Sequence, residues 1–301
     1  MVSAGEITAM RRAIAISAHG VGSTSPNPPV GCVILDSAGI PIGEGYHVRK
    51  GDSHAEVHAL RAAGGRAVGG TAVVTLEPCN HTGRTPPCRE ALLQAGVARV
   101  VIAVMDPTSR GEGGAAVLRQ SGVDVETGVL REEALLVLSP WLTATLAGRP
   151  FLTWAYAADP DGSPVGHPDD GPVSAALRQL RGAHDLVVNP SGVMAEGRPQ
   201  SHGGGDVFHV PAGQASSDTH AAMDAFRSSG ARSVLLEGVS GTALSFAADA
   251  LLDQVVAFLQ TSPPSHALRM PGTRLAPFPE GFRLTDVAHH GDHVRLTGRR
   301  I

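Results

Sequence analysis

Two kinds of hydrophobic pattern alternate along the first half of the chain. Short apolar runs predict strands at residues 30–35, 42–46, 71–76 and 99–105. Apolar residues at helical spacing predict helices at residues 6–19, 54–63, 87–95 and 113–121. This alternation is typical of a sheet with helices packed on its faces. We therefore predict an α/β fold for this half, with functional residues gathered at the ends of strands.

The same alternation resumes after residue 150. Apolar runs predict strands at residues 151–157, 185–188, 233–236 and 253–259, and helical patterns cover residues 173–182, 218–229 and 243–250. A helix at residues 131–146 and the segment Leu146-Ala147-Gly148-Arg149-Pro150 separate the halves. The Gly-, His- and Ser-rich residues 201–217 predict a loop. We expect two domains, residues 1–146 and 150–301.

Composition narrows the class of protein. The 301 residues are enough for two domains, and the net charge of −4 gives no basic surface for nucleic acid. No apolar run approaches the length that spans a membrane, and the first residues lack a secretory pattern. Three cysteines argue against a disulfide framework. We expect a cytoplasmic protein with a small-molecule substrate and no nucleic-acid or membrane partner, assembled as a homodimer or homotetramer.

The candidate chemistry lies in two short segments. His54, Cys79 and Cys88 supply three nitrogen or sulfur ligands, which is the number that a catalytic zinc takes from protein while it keeps one position for water. A zinc ion held in this way lowers the pKa of water toward neutrality. Glu56 is then the candidate general acid and base, the role that such a carboxylate has in zinc nucleobase deaminases. The segments therefore predict hydrolytic deamination that releases ammonia.

The predicted elements restrict how these residues can meet. Residues two apart on a regular helix do not share a face, so His54 and Glu56 can converge only in the opening turn of the helix. Pro87 is expected at the first position of the next helix, beside Cys88. The alternative is a chance His-x-Glu with cysteines that serve as small buried hydrophobes. Two of the three cysteines in one segment favour zinc, whereas Cys32 lies in an apolar strand and is expected in the core.

Further motifs accompany these segments. They are Pro26-Asn27-Pro28-Pro29-Val30-Gly31, Gly45-Tyr46-His47, Asp106-Pro107 and Gly111-Glu112-Gly113-Gly114. Together with His54-Ala55-Glu56 and residues 77–88, they make residues 1 to about 146 resemble the bifunctional deaminase/reductase family of riboflavin biosynthesis. The long gap between Cys79 and Cys88 is telling, because cytidine and guanine deaminases are similar in having a short Pro-Cys-x-x-Cys motif instead. The resemblance implies a cytidine-deaminase-like three-layer α/β/α domain followed by a dihydrofolate-reductase-like α/β domain.

The resemblance also implies a substrate. Members of the family remove the 2-amino group of 2,5-diamino-6-(5-phosphoribosylamino)pyrimidin-4-one. Matched by position, Asn27, His47, His81 and Arg84 would contact this substrate, and their amide, imidazole and guanidinium groups suit a heterocycle and a phosphate. Two alternatives stay open. Asn27, which lies between prolines, could serve simply to build a turn, and His47, close to Arg49, could be a solvated surface residue.

The second half resembles the reductase part of the family only in outline. Ala155 and Asp159 stand where the family has Lys and Ser, and Val239 replaces the second Gly of a Glu-Gly-Gly motif. A glycine-rich turn is replaced by a segment that starts with Asn189-Pro190. Pro190 removes a backbone donor where cofactor phosphates need close approach. We expect that this half does not bind NADPH productively and persists as a packing or oligomerisation partner.

Three other functions remain open. The chain could be fully bifunctional, in which case NADPH binding would be saturable. It could deaminate a related pyrimidine or purine in specialised metabolism. It could also be a catalytically dead scaffold, a reading that is weakened because His54, Glu56, Cys79 and Cys88 are all present.

Overall fold

The computed structural model describes residues 1–80, 87–159, 164–165, 171–198, 208–261 and 280–301. The chain forms two compact units, Met1–Ala147 and Gly148–Ile301. In these described ranges, no helix has both the length and the apolar character needed to cross a membrane.

The first unit is built on a five-stranded mixed sheet. Its strands are β1 Gly31–Leu35, β2 Pro41–Tyr46, β3 Thr71–Leu76, β4 Arg99–Val104 and β5 Asp124–Thr127, in the order β2-β1-β3-β4-β5. Strands β3, β4 and β5 are parallel, and β1 is antiparallel to both of its neighbours. The sequence pattern did not predict β5, because its four residues are polar or only partly buried and form no apolar run.

Among the described residues of this unit, five α-helices cover both faces of the sheet. They are α1 Ala4–Ser17, α2 Ala55–Ala63, α3 Cys88–Gln94, α4 Gly113–Gln120 and α5 Arg131–Leu146. Apolar side chains of α1 and α5 pack on one face, and those of α2, α3 and α4 pack on the other. The result is the predicted α/β/α arrangement of three layers. Helix α1 begins two residues earlier than predicted, because Ser3 and Glu6 form a reciprocal capping box there.

The second unit contains an eight-stranded mixed sheet. Its strands are β6 Phe151–Ala158, β7 Pro164–Val165, β8 Leu186–Val188, β9 Met194–Glu196, β10 Ser233–Glu237, β11 Gln254–Gln260, β12 Phe282–His290 and β13 His293–Arg300. The order is β12-β13-β11-β6-β10-β8-β9, with β7 paired to β6. Strand β6 is buried along its whole length and runs parallel to β10 and β11.

In the described ranges of the second unit, three helices flank the sheet. Helix α6, Gly171–Gly182, packs against one face, while α7, Thr219–Ser228, and α8, Gly241–Ala248, pack against the other. Residues 208–217, the described part of the predicted loop, contain no helix or strand. The hairpin of β12 and β13 was not predicted. Most of its side chains are partly or fully exposed, so its sequence lacks the apolar run that identified the inner strands.

Candidate metal and catalytic site

The start of α2 places two of the predicted residues. His54 is the N-cap of this helix, with an extended backbone at φ −71° and ψ 164°, and its carbonyl accepts hydrogen bonds from the amides of Val57 and His58. Glu56 lies in the first turn and is 3% exposed. The change from extended to helical backbone after His54 thus lets both side chains approach one region, as expected for residues two apart.

Cys79 and Cys88 reach the same region from two further elements. Cys79 follows the carboxyl end of β3, and Cys88 is the first residue of α3. Pro87 is the N-cap rather than the first helical residue, so the helix starts one residue later than predicted. His54 Nδ1 lies 3.1 Å from Cys88 Sγ and 3.7 Å from Cys79 Sγ. The Cys88 amide donates to Cys79 Sγ at 3.2 Å.

This donor set fits a zinc ion. The ligand atoms of His54, Cys79 and Cys88 all lie within 4.8 Å of one another. A tetrahedral zinc with bonds of about 2.0–2.3 Å places its ligands at such separations. Hydrogen bonds from the Cys88 thiol and from His54 lower the pKa of Cys79 to about 4, which favours the thiolate that a metal needs. Cys32, by contrast, is fully buried in β1, where burial raises the pKa of its thiol.

The carboxyl group of Glu56 is buried beside His54, Cys79 and Cys88. Burial raises the pKa of this carboxyl above its ordinary value, although the nearby His54 opposes the shift. A carboxyl whose pKa lies closer to neutrality is a better general acid and base at physiological pH. Glu56 also interacts with the Cys88 side chain, so it lies next to the candidate ligands.

His47 is buried beside the same cluster. It is 3% exposed, so the alternative of a solvated surface residue is wrong. Its ring lies edge-on to His54, with 5.4 Å between the ring centroids. The Nδ1–H group donates to the Ser53 carbonyl at 3.1 Å, and burial lowers the pKa of the ring, which therefore stays neutral. Nε2 is buried without a hydrogen-bond partner among the described residues, and so it remains available as an acceptor.

Of the other predicted substrate residues, Asn27 is exposed, and His81 and Arg84 lie outside the described residues. The backbone amide of Asn27 donates to the Thr24 carbonyl at 2.8 Å in a turn. His81 and Arg84 fall in residues 81–86, outside the described part of the chain. The structure adds a residue that sequence reasoning missed, the buried carboxylate of Glu77. A charged residue directly after an apolar strand was the available signal.

In the second unit, the loop after β8 closes on itself. The Asn189 side chain accepts from the amides of Ser191 and Val193 at 3.0 and 2.9 Å. The Gly192 amide donates to the Asn189 carbonyl, and the Asn189 amide donates to the Val193 carbonyl. Pro190 has no amide hydrogen. Every backbone amide hydrogen of residues 189–193, all of them described, is therefore already engaged within the loop.

Comparison with known proteins also matches the first unit to zinc-dependent deaminases. Residues 5–104 match the family model described as the cytidine and deoxycytidylate deaminase zinc-binding region. The chain is 49% identical to the Escherichia coli riboflavin biosynthesis protein RibD over 154 residues, which are 51% of this chain and 42% of that protein. It thus matches less than half the length of that relative. It is 50% identical over 130 residues to the diaminohydroxyphosphoribosylamino-pyrimidine deaminase of Buchnera aphidicola from Acyrthosiphon pisum, covering 43% of this chain and 88% of the relative.

The fold of the whole chain also has solved counterparts. The diaminohydroxyphosphoribosylaminopyrimidine deaminase/5-amino-6-(5-phosphoribosylamino)uracil reductase of Thermotoga maritima aligns over 99% of both chains, with 25% identity and a TM-score of 0.77. RibD of Acinetobacter baumannii aligns over 99% of both chains, with 26% identity and a TM-score of 0.71. These matches confirm the predicted pair of α/β folds. The 50% identity to the Buchnera relative over 88% of its length, together with the match to the deaminase family model, establishes that the chain belongs to the diaminohydroxyphosphoribosylaminopyrimidine deaminase family of riboflavin biosynthesis proteins.

Proposed function

We propose that the chain is a zinc-dependent hydrolase that deaminates 2,5-diamino-6-(5-phosphoribosylamino)pyrimidin-4-one, with His54, Cys79 and Cys88 as its metal ligands. The observation that carries this proposal is the convergence of these three ligand atoms within 4.8 Å, beside the buried carboxyl of Glu56. Residues 1–146 form the proposed deaminase domain. The names of the relatives support this choice of substrate.

The proposed chemistry divides between the metal and the chain. When bound, zinc supplies Lewis acidity that makes water a nucleophile near neutral pH. Glu56 accepts a proton from the attacking water and passes it to the ring nitrogen next to the reacting carbon. It then takes the remaining proton of the added hydroxyl group and delivers it to the departing amine, so that the carbonyl forms as the bond between carbon and the amine breaks. The buried site around Glu56 keeps bulk water from competing for this proton. The products are a pyrimidine carbonyl and ammonia.

The proposed substrate contacts come from several segments. His47 carries a neutral ring whose free Nε2 can accept a hydrogen bond from an N–H group of the heterocycle. Asn27, His81 and Arg84 are proposed to complete the contacts by their positions in the sequence. The backbone amide of Asn27 is engaged in the turn, whereas its side chain is exposed, which leaves the side-chain amide open to a ligand.

We further propose that residues 150–301 form a reductase-like domain without reductase activity. Close backbone approach to a phosphate requires free amide hydrogens. The loop of residues 189–193 offers no free backbone amide hydrogen, because carbonyl and side-chain oxygens of the loop already accept a hydrogen bond from each one. Ala155 is fully buried in β6, and its carbonyl accepts from the Gly238 amide at 2.7 Å. The loop of residues 189–193 and the buried Ala155 do not fit the phosphates of NADPH.

One assay tests both parts of the proposal. Ammonia release from the diaminopyrimidine ribotide is followed with protein of known zinc content, and NADPH loss is then followed in the same cuvette. Ammonia without NADPH loss is the expected result. Loss of NADPH at an enzymatic rate would overturn the inactive second domain. Ammonia only from another pyrimidine or purine would redirect the substrate, and no ammonia from any of them would favour the scaffold. Light scattering tests the expected dimer or tetramer.

A further inference from the structure

Residues 77–80, the Cys79 segment, form no helix or strand. A buried carboxyl group nevertheless anchors this segment. Glu77 lies two residues before Cys79 and is 5% exposed. Its Oε1 accepts from the Ala115 amide at 2.9 Å, and its Oε2 accepts from the Asp106 amide at 3.1 Å. Ala115 lies in the first turn of α4, where amides lack partners within the helix. One side chain thus joins the end of β3 to the loop after β4 and to α4.

The backbone on both sides of Glu77 fits closely against the start of α4. A Cβ atom added at Gly114 would lie 1.9 Å from the Pro78 carbonyl oxygen. A Cβ atom at Gly113 would lie 2.6 Å from Glu77 Oε1, and Gly113 has a φ of +82° that favours glycine. Gly113 and Gly114 are the first two residues of α4. The structure gives them a second role, as the surface on which the Cys79 segment rests.

Asn80 anchors the other side of Cys79. Its Nδ2 donates to the Arg110 carbonyl at 3.0 Å, and its Oδ1 accepts from Arg89 Nε. Arg89 belongs to α3, whose first residue is Cys88. The side chain of Asn80 therefore ties the Cys79 segment both to the loop after β4 and to the helix that supplies the other thiol.

We propose that Glu77, assisted by Asn80 and by the close fit at Gly114, is a positioning residue that holds Cys79 Sγ at the distance a metal requires from His54 and Cys88. Glu77 touches no candidate ligand, so it acts through the backbone of Pro78 and Cys79. Partners outside the ligand set often contribute about 10- to 100-fold to metal affinity. The inference rests on the proposed metal site. The proposed deamination gives the Glu77 side chain no direct part in the chemistry.

The test is a zinc affinity measurement by competition with a chromophoric chelator, combined with the absorption spectrum of the cobalt-substituted protein. Glu77→Gln keeps the shape of the side chain but turns one acceptor into a donor that faces an amide. We expect zinc binding to weaken about 10- to 100-fold and the cobalt ligand-field bands to shift. Gly114→Ala should act in the same direction, because its methyl group displaces Pro78. Asn80→Ala, at a half-buried position, should give a smaller loss.

Matched controls separate positioning from general damage. Glu133→Gln removes an exposed ion pair with Arg11, and Gly65→Ala adds a methyl group where no atom lies within 4 Å. Both should keep the affinity and the cobalt spectrum of the unaltered protein. Failure of the unaltered protein to bind zinc would refute the proposed metal site. If it binds zinc and both Glu77→Gln and Asn80→Ala bind equally well with unchanged spectra, the positioning role is wrong. Asn80→Ala decides the matter if Glu77→Gln does not fold.

Discussion

His54 and Cys88 lie 34 positions apart in the chain, yet His54 Nδ1 is 3.1 Å from Cys88 Sγ. Each residue occupies the boundary of a helix, one as the N-cap of α2 and the other as the first residue of α3. Helix starts carry a partial positive charge, but the hydrogen bond to Cys79 and burial raise the pKa of the Cys88 thiol, and Cys79 is the group that takes the thiolate form. The site is therefore assembled from two helix starts and the end of one strand, and each part can be tested by itself.

Glu56→Gln should abolish turnover without removing the metal. The amide keeps the volume of the side chain but cannot accept and release the proton, so we expect the rate of ammonia release to fall about 100- to 10,000-fold. Zinc content, measured by atomic absorption, should stay at the level of the unaltered protein. Glu90→Gln, on the neighbouring helix α3, is the control and should keep its activity. Substantial turnover by Glu56→Gln would contradict the assigned role.

Cys79→Ser should lose both zinc and activity. Serine oxygen is a poor substitute for the thiolate that zinc prefers, so the content should fall well below about one ion per chain. Cys32→Ala serves as the matched control, because this thiol is buried in β1 and is not one of the three candidate ligands. It should keep its zinc at some cost in stability. Equal zinc content in the two variants would count against the ligand assignment.

His47 can be tested with two amides of different length. Asn at this position can still donate to the Ser53 carbonyl but has no group in the place of Nε2, whereas Gln extends an oxygen or nitrogen to that place. We expect kcat/KM of His47→Asn to fall about tenfold or more, corresponding to about 1.4 kcal/mol or more. His47→Gln should retain more of it. A reversed order, or no loss in either variant, would exclude a contact through Nε2.

The stability of the second unit should decrease in mildly acidic solution because of His184. Burial lowers the pKa of this ring from its ordinary 6.5, and Nδ1–H donates to the Leu180 carbonyl at 2.7 Å. The unfolded chain then binds a proton that the folded chain does not. The contribution of the neutral His184 ring to the free energy of unfolding is therefore fully present above pH 6.5. It is lost as the pH falls below that value, by at most about 1.4 kcal/mol per pH unit.

Urea unfolding between pH 7.5 and 5.5 measures this effect, with the two pH values about one unit on either side of the ordinary histidine pKa. Trp154 reports on the second unit once Trp141→Phe removes the other tryptophan. His184→Gln should be less stable at neutral pH but should lose less stability on acidification. The same pH dependence in both proteins would show that another group is responsible.

The parts of the fold that the sequence predicted are those whose burial is written in short apolar runs. Strands β1, β3 and β4 each carry such a run, since nearly all of their side chains are buried. Strands β12 and β13 could not be found in this way. They pair with each other through the backbone, and β13 also pairs with β11. That pairing leaves little trace in side chains that stay partly exposed.

The site shows the same limit. Zinc ligation depends on residue type, so His54, Cys79 and Cys88 could be named as candidate ligands from the chain alone, and the fold brings their ligand atoms together. The burial of His47 depends on tertiary contacts, because its sequence neighbours Val48 and Arg49 are exposed. The anchoring role of Glu77 depends on α4, which follows it by more than thirty positions. Residue type therefore predicted the chemistry, while the supporting contacts required the fold.

The N-cap position of His54 also links metal occupancy to the backbone. The amides of Val57 and His58 both donate to the His54 carbonyl. A metal that fixes the His54 ring restrains this carbonyl as well, and so the opening turn of α2 frays less often. Hydrogen–deuterium exchange at these two amides should slow on loading, which makes them an internal gauge of how much of the protein carries its metal.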